Sequence, residues 1–274
     1  MLVVLLTTIL WSVLDRRQAS LEAALAHSRQ QGLTTALRAG MDVQATAVQR
    51  LAKRLGMVDE PLRSELFKLD AAAFLADMPG LRALAFADTD RVLRLNLVRS
   101  APGVRLGAKL DEAPDRRAVF DAVDADGVVR LSAPVQLLSG QPGELLAAPV
   151  VTSGGRVGYV VAIVTFDRFF SSLLASQEGT DSLLIKQGRQ TIFARGVVHA
   201  AGSPPPATMS LYGQRWSVTS GVPGRIADQR PTWMVLLLGI ALAVLLTWAL
   251  SLSGLARARE RQAMLMSGKL RDQV

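Results

Sequence analysis

Residues Arg91 to Val98 read RVLRLNLV and alternate apolar and polar side chains with a period of two. Leu93, Leu95 and Leu97 share one face of a strand, and Arg94 and Asn96 share the other. Upstream the period is different. Leu14, Leu21, Leu25, Leu33, Leu37, Met41, Val48, Leu51 and Leu55 recur at helical spacing, with Arg16, Arg29, Arg38, Gln44 and Lys53 on the polar face. That spacing predicts one long amphipathic helix ending near Gly56. The change of period after Pro79-Gly80 sets the fold class.

Working outward from RVLRLNLV, Leu81 to Ala87 is the preceding strand and Asp88-Thr89-Asp90 the turn. Before it, Asp59-Glu60-Pro61 opens a second helix through Leu62, Leu66 and Leu69, and Asp70 is expected to cap a third, short one to Met78. After it, Asp115 to Ala125 is a helix closed by Gly127. Strands are expected at Val128 to Leu138, Leu145 to Val151 and Val157 to Thr165. The last is apolar on both faces and reads as a central strand. Phe166 to Ala175 is a helix. Ser182 to Lys186 and Gln190 to Ala194 form a hairpin, Pro204-Pro205-Pro206 a loop, and Tyr212 to Ser220 the closing strand. A long helix followed by two rounds of antiparallel strands with interposed helices is α+β. The long helix transmits displacement and pairs with a partner subunit, covers one face of the domain, or does both.

The chain has 274 residues, and its apolar content of 50% against 20% charged supports a sizeable core. The net charge of +8 comes from scattered arginines without aromatic interleaving, which speaks against nucleic acid. There is no cysteine, so disulfides, thiolate metal sites and cysteine nucleophiles are excluded. His27 and His199 lack metal-ligand spacing. Ser153-Gly154-Gly155 with Gly158 lies between two strands, where a hairpin turn and not a phosphate cradle belongs. Asp121, Asp124 and Asp126 lack EF-hand spacing, and Ser132 and Ser139 have no local histidine. No catalytic set and no cofactor site emerges.

Both ends are apolar. Trp233 to Ala256 carries no charge and reaches across the roughly 30 Å of a bilayer core. Met1 to Leu14 is also uncharged but spans only about 21 Å as a helix. A signal peptide cleaved near Ala24-Leu25-Ala26 is the alternative, but Asp15, Arg16, Arg17 and Glu22 intervene. The expectation is an uncleaved span whose first residues lie upstream. Arg257, Arg259, Arg261, Lys269 and Arg271 place the tail in the cytoplasm, and two spans then place 15–232 outside. Arg16 and Arg17 argue locally the other way.

The stretch Asp115 to Leu174, DRRAVFDAVDADGVVRLSAPVQLLSGQPGELLAAPVVTSGGRVGYVVAIVTFDRFFSSLL, resembles the CHASE extracellular sensor domain. The resemblance rests on Arg117, Gly127, Ser132-Ala133-Pro134 with Leu137-Leu138, Pro149-Val150, Gly158-Tyr159 and Phe166-Asp167, in that order. Pro79-Gly80-Leu81 with Ala85-Phe86 looks like the opening strand, and Gly213 to Val218 like the closing one. It implies a stalk helix carrying two PAS-like modules between two transmembrane helices. The distal module would hold a small ligand, and the protein would work as a homodimer. A cytoplasmic output module would follow, a histidine kinase first and a diguanylate cyclase second. Arg116, Leu138 and Ala147 occupy the positions that resemble the ligand-binding ones. Cytokinin-binding members carry an aspartate where this chain has Arg116 and a threonine where it has Ala147, so cytokinin is disfavoured. Arg116 would favour an anionic ligand if it faces the pocket.

The expected arrangement is therefore a span at 1–14, a periplasmic or extracellular sensor at 15–232, a span at 233–256, and the start of a signalling helix at 257–274. The tail offers Met264, Leu265 and Leu270 as seam positions, and the chain is expected to continue past Val274. The sensor itself would be non-enzymatic and multi-pass in the inner membrane. A membrane-anchored extracytoplasmic enzyme and a non-binding dimerisation scaffold are the alternatives. A pocket filled by its own core side chains would favour the scaffold.

Overall fold

The computed structural model describes residues 2–99, 105–137, 142–175, 182–196, 204–221, 237–249 and 251–252. It divides into two compact units, Leu25–Pro223 and the ends Met1–Ala24 with Gly224–Val274.

Helix α1, Leu2–Gly56, is one continuous helix. From Leu33 onward its apolar face is covered: Leu37, Met41, Val48, Leu51 and Leu55 are almost fully buried. Each such burial contributes about 1.5–3 kcal/mol, so this half of the helix is held by packing and not by propensity. Its end docks tightly, because a methyl on Gly56 would fall 2.2 Å from the Val151 carbonyl oxygen. Nearer its start, Leu21 and Leu25 are more than half exposed.

Helix α2, Glu60–Asp77, replaces the two helices expected there. Asp70 is no cap. It lies mid-helix, buried, and accepts a hydrogen bond from Arg54 of α1 at 2.8 Å. That tertiary partner outweighs the local capping preference of aspartate.

The first sheet has the order β2-β1-β6-β5-β3, with β4 also on β5. Its strands are β1 Leu81–Ala87, β2 Leu93–Val98, β3 Arg130–Leu131, β4 Val135–Gln136, β5 Pro142–Thr152 and β6 Gly155–Thr165. All pairs are antiparallel, and β6 is central as its two apolar faces require. The single strand expected at Val128 to Leu138 is two short ones, interrupted around Ala133-Pro134, where proline cannot donate to a ladder. Helix α3, Pro114–Asp126, covers one face. Alternate residues sort between the faces: Leu146, Ala148 and Val150 pack into the core with α1, whereas Leu145 and Ala147 pack into the core under α3.

Helix α4, Phe166–Leu174, leads to the second sheet, order β8-β7-β10-β9. Its strands are β7 Leu183–Gln187, β8 Gln190–Arg195, β9 Ala207–Leu211 and β10 Gln214–Ser220. Strand β9 was not expected, and the closing strand begins at Gln214, because Tyr212-Gly213 is a hairpin turn. This sheet is tied to α1 by Gln30, whose Nε2 donates to the Val218 carbonyl at 2.6 Å, and by Ser220, whose hydroxyl donates to the Ala26 carbonyl.

In the other unit, residues 237–249 and 251–252 are helical. Leu237, Leu238, Val244, Leu245 and Trp248 are exposed. A methyl on Gly239 would fall 2.2 Å from Thr7 Cγ2, so the Thr7 side chain lies directly against the Gly239 backbone. Among the described residues no helix is long and apolar enough to cross a membrane. Residues 233–236, 250 and 253–256 of the second expected span, and the tail at 257–274, lie outside the described residues.

Candidate ligand-binding site

Helix α3 organises the module built on the first sheet. Pro114 starts it, where a missing N–H costs nothing, and Gly127 ends it in the left-handed region with φ 70°, donating to the Val123 carbonyl at 2.8 Å. Each face of the helix does something different.

One face packs on the sheet. Val119, Phe120 and Val123 are buried against Leu93, Leu145, Ala147 and Tyr159. Phe120 and Tyr159 meet edge to face, 5.1 Å between centroids. The resemblance-implied residues distribute around this cluster. Ala147 is fully buried within it. Arg116 is half-buried, one turn before Phe120 and so on the same side of the helix, and it does not line the cavity on the helix's third face. Leu138 lies outside the described residues, and its neighbour Leu137 is buried in the cluster.

A second face is pinned by charge. Arg91 hydrogen-bonds Asp111 at 3.1 Å, and Asp121 and Asp124 of α3 at 2.6 and 3.0 Å, with its guanidinium 5.5 Å from the Phe120 ring centroid. Burial works against the Arg91 charge, but these bonds raise its affinity for the proton above the usual arginine value. Asp124 also accepts from the Tyr159 hydroxyl at 2.5 Å and from Arg156 at 2.6 Å. Burial, and then Asp124, push the Tyr159 phenol up.

The third face lines a cavity of about 380 Å³. Asp115, Ala118, Ala122 and Asp126 form one wall, Arg130 to Ala133 the second, and the β9–β10 turn of Tyr212, Gly213 and Gln214 the third. Arg130 donates from Nε to Asp126 Oδ2 at 2.7 Å and from Nη2 to the same oxygen, which holds the Asp126 carboxyl below its usual range. The turn is docked on β3: Leu131 N–H donates to the Tyr212 carbonyl and Gln214 Nε2 to the Leu131 carbonyl, both at 3.0 Å. Sequence reading missed this wall. The Tyr-Gly pair between two strand-like runs was its only signal, since φ is positive at both residues, 47° and 91°.

No protein-family model matches the chain, and no curated protein matches it. Solved structures do. The ligand-binding domain of the amino acid chemoreceptor PctC of Pseudomonas aeruginosa PAO1, in complex with GABA, matches with TM-score 0.54 at 12% identity, over 73% of this chain and 99% of that one. The fold is that of chemoreceptor sensor domains. A methyl-accepting chemotaxis protein X matches with TM-score 0.57 at 13% identity, over 76% of this chain and 100% of that one. The chain spans 39% of an extracellular ligand binding receptor from Desulfohalobium retbaense DSM5692, which it matches over 72% of its own length with 16% identity and TM-score 0.49. The two neighbours with TM-scores above 0.5 are a chemoreceptor ligand-binding domain and a chemotaxis protein.

Proposed function

We propose that the chain is the sensory input of a transmembrane receptor that binds a small ligand outside the cytoplasm. The observation that carries this reading is the pair of antiparallel sheets on one long helix, a fold held in common with chemoreceptor ligand-binding domains. The ligand sits in the distal module, with Arg116, Leu138 and Ala147 as its contacts. The GABA bound to PctC carries a carboxylate, and a carboxylate is what the half-buried Arg116 of α3 would take. A small anionic or zwitterionic metabolite is therefore the proposed ligand class.

Spans at 1–14 and 233–256 flank the sensor, which occupies 15–232 on the periplasmic or extracellular side. The uncharged run from Trp233 to Ala256 and the outward-facing Leu237, Leu238, Leu245 and Trp248 support the second span. Residues 257–274 begin a signalling helix toward an output module, a histidine kinase first and a diguanylate cyclase second. The receptor works as a homodimer of the CHASE type, and ligand binding shifts its two-state equilibrium.

The test is thermal unfolding of the full chain in detergent micelles against amino acids and short organic acids. A binder at 100 times its Kd stabilises by about 2.7 kcal/mol, and Arg116→Ala removes the gain. A second reading, the non-binding scaffold, draws on the filling of the α3 cluster by Phe120, Tyr159 and Leu93. It predicts no stabilisation by any compound.

A further inference from the structure

One side chain reaches from the wall of the α3 cavity to the stalk helix. Tyr212 stands in the β9–β10 turn that walls the α3 cavity, and its hydroxyl donates to Asp42 Oδ1 of α1 at 2.6 Å. Its carbonyl simultaneously accepts from Leu131 of β3. One residue thus touches the first sheet through its backbone, the cavity through its position, and the stalk through its side-chain tip.

Two features mark this turn as a defined mechanical element. Tyr212 has φ 47°, a conformation that an L side chain adopts at a cost and keeps only where its surroundings fix it. Here both its carbonyl and its hydroxyl are engaged, which fixes it from two sides. Gly213 follows at φ 91°, and a methyl there would fall 3.1 Å from Arg130 Nη1. The turn therefore lies close against the Arg130 side chain that pairs with Asp126 at the end of α3. Burial, and then Asp42, raise the Tyr212 phenol well above its usual value, so the proton stays on the tyrosine and the donor direction is fixed.

We propose that Tyr212 is the positioning residue that relays displacement of the α3 cavity wall to the stalk helix at Asp42. Widening or filling the space between α3 and the turn shifts Tyr212, and its hydroxyl carries that shift to α1. This rests on the sensor reading above, but it concerns the transmission route and not the ligand.

The experiment needs no ligand. In the full chain, Ala122→Phe places a ring into the cavity from α3, and Ala118→Leu does so more gently should the first variant fold poorly. Hydrogen exchange is followed at the turn, 210–215, and on α1, 38–46. With Tyr212 present, filling the cavity changes exchange at both places by about three-fold or more, the scale of a modest coupling free energy. In Tyr212→Phe the turn still responds and α1 does not. Asp42→Asn, which keeps the acceptor oxygen, retains the response, and Asp42→Leu loses it. Equal α1 responses with Tyr212 and with phenylalanine at 212 overturn the proposal. So does an unmoved α1 when the turn responds in the wild-type background, or an unmoved turn in both filled variants. Failure to find any ligand leaves these outcomes unchanged, so the two readings fail separately.

Discussion

Gly158 lies against the carbonyl of Ala87 across the β1–β6 ladder, and a methyl on its Cα would fall 2.1 Å from that oxygen and 3.0 Å from the Phe86 ring. The neighbouring Tyr159 is then free to pair with Ala87 and to point its ring under α3. The Gly-Tyr pair that carried part of the family resemblance thus has a packing role: the glycine admits the backbone, and the tyrosine holds the helix.

Gly158→Ala is expected to cost at least about 3 kcal/mol, because the nearest obstacle is backbone and cannot rotate away. In a unit of this size that lowers Tm by roughly 6–12 °C. Differential scanning fluorimetry checks it, and a loss of only a degree or two would mean that β1 and β6 separate more easily than their packing implies.

Arg91 predicts a graded series. Its side chain is 16% exposed and serves Asp111, Asp121 and Asp124 at once. Removing it leaves Asp111, which is 10% exposed, without its cation. Arg91→Ala should therefore cost about 2–4 kcal/mol, read as a lower urea midpoint. Arg91→Lys should recover less than half of that, because one ammonium cannot reproduce a planar fork that reaches three carboxylates. Full recovery by lysine would show that net charge and not geometry holds α3 on the sheet.

Glu144 predicts a pH effect. It lies on β5 with no exposed surface, and the Gln187 side chain faces its carboxyl. Burial raises its pKa well above the usual value of 4.5, and Gln187 offsets this only in part. A raised acid pKa means that the folded chain holds the proton longer than the unfolded one. Stability is therefore greatest at acidic pH and falls as pH rises above about 4.5, until the folded carboxyl itself ionises. Glu144→Gln removes this dependence. Its Tm should exceed wild type at pH 8 and approach it at pH 4, with the difference between the two proteins isolating Glu144 from other titrating groups. A variant less stable at pH 8 than wild type would contradict the assignment.

Much of the scaffold was legible because it follows from single-element patterns. The apolar run of Val157 to Thr165 required a two-sided strand, and the apolar residues at helical spacing from Leu33 to Leu55 required a helix with one covered face. What escaped depends on partners distant in sequence. Asp70 read as a cap because its partner Arg54 sits on another helix. Strand β9, ATMSL, carries only Met209 and Leu211 toward the core and has little apolar signal. Arg91 looked like part of a strand, yet it takes φ 62° and gathers carboxylates from 20 to 33 residues away. The α3 cavity was illegible for the same reason, since its third wall comes from a turn about 80 residues downstream of its second, as the Gln214 to Leu131 bond records.

Ligand binding itself is tested most directly by titration calorimetry. The full chain in nanodiscs is titrated with the small carboxylates that raise its Tm, in wild-type and Arg116→Ala forms. The account predicts saturable heat at about one ligand per chain in the wild type, and a loss of affinity of about ten-fold or more in Arg116→Ala, the scale of one charge-assisted hydrogen bond. Saturable binding that is indifferent to Arg116 would contradict the placement of the ligand, and the absence of any saturable heat across the set would contradict the sensor reading.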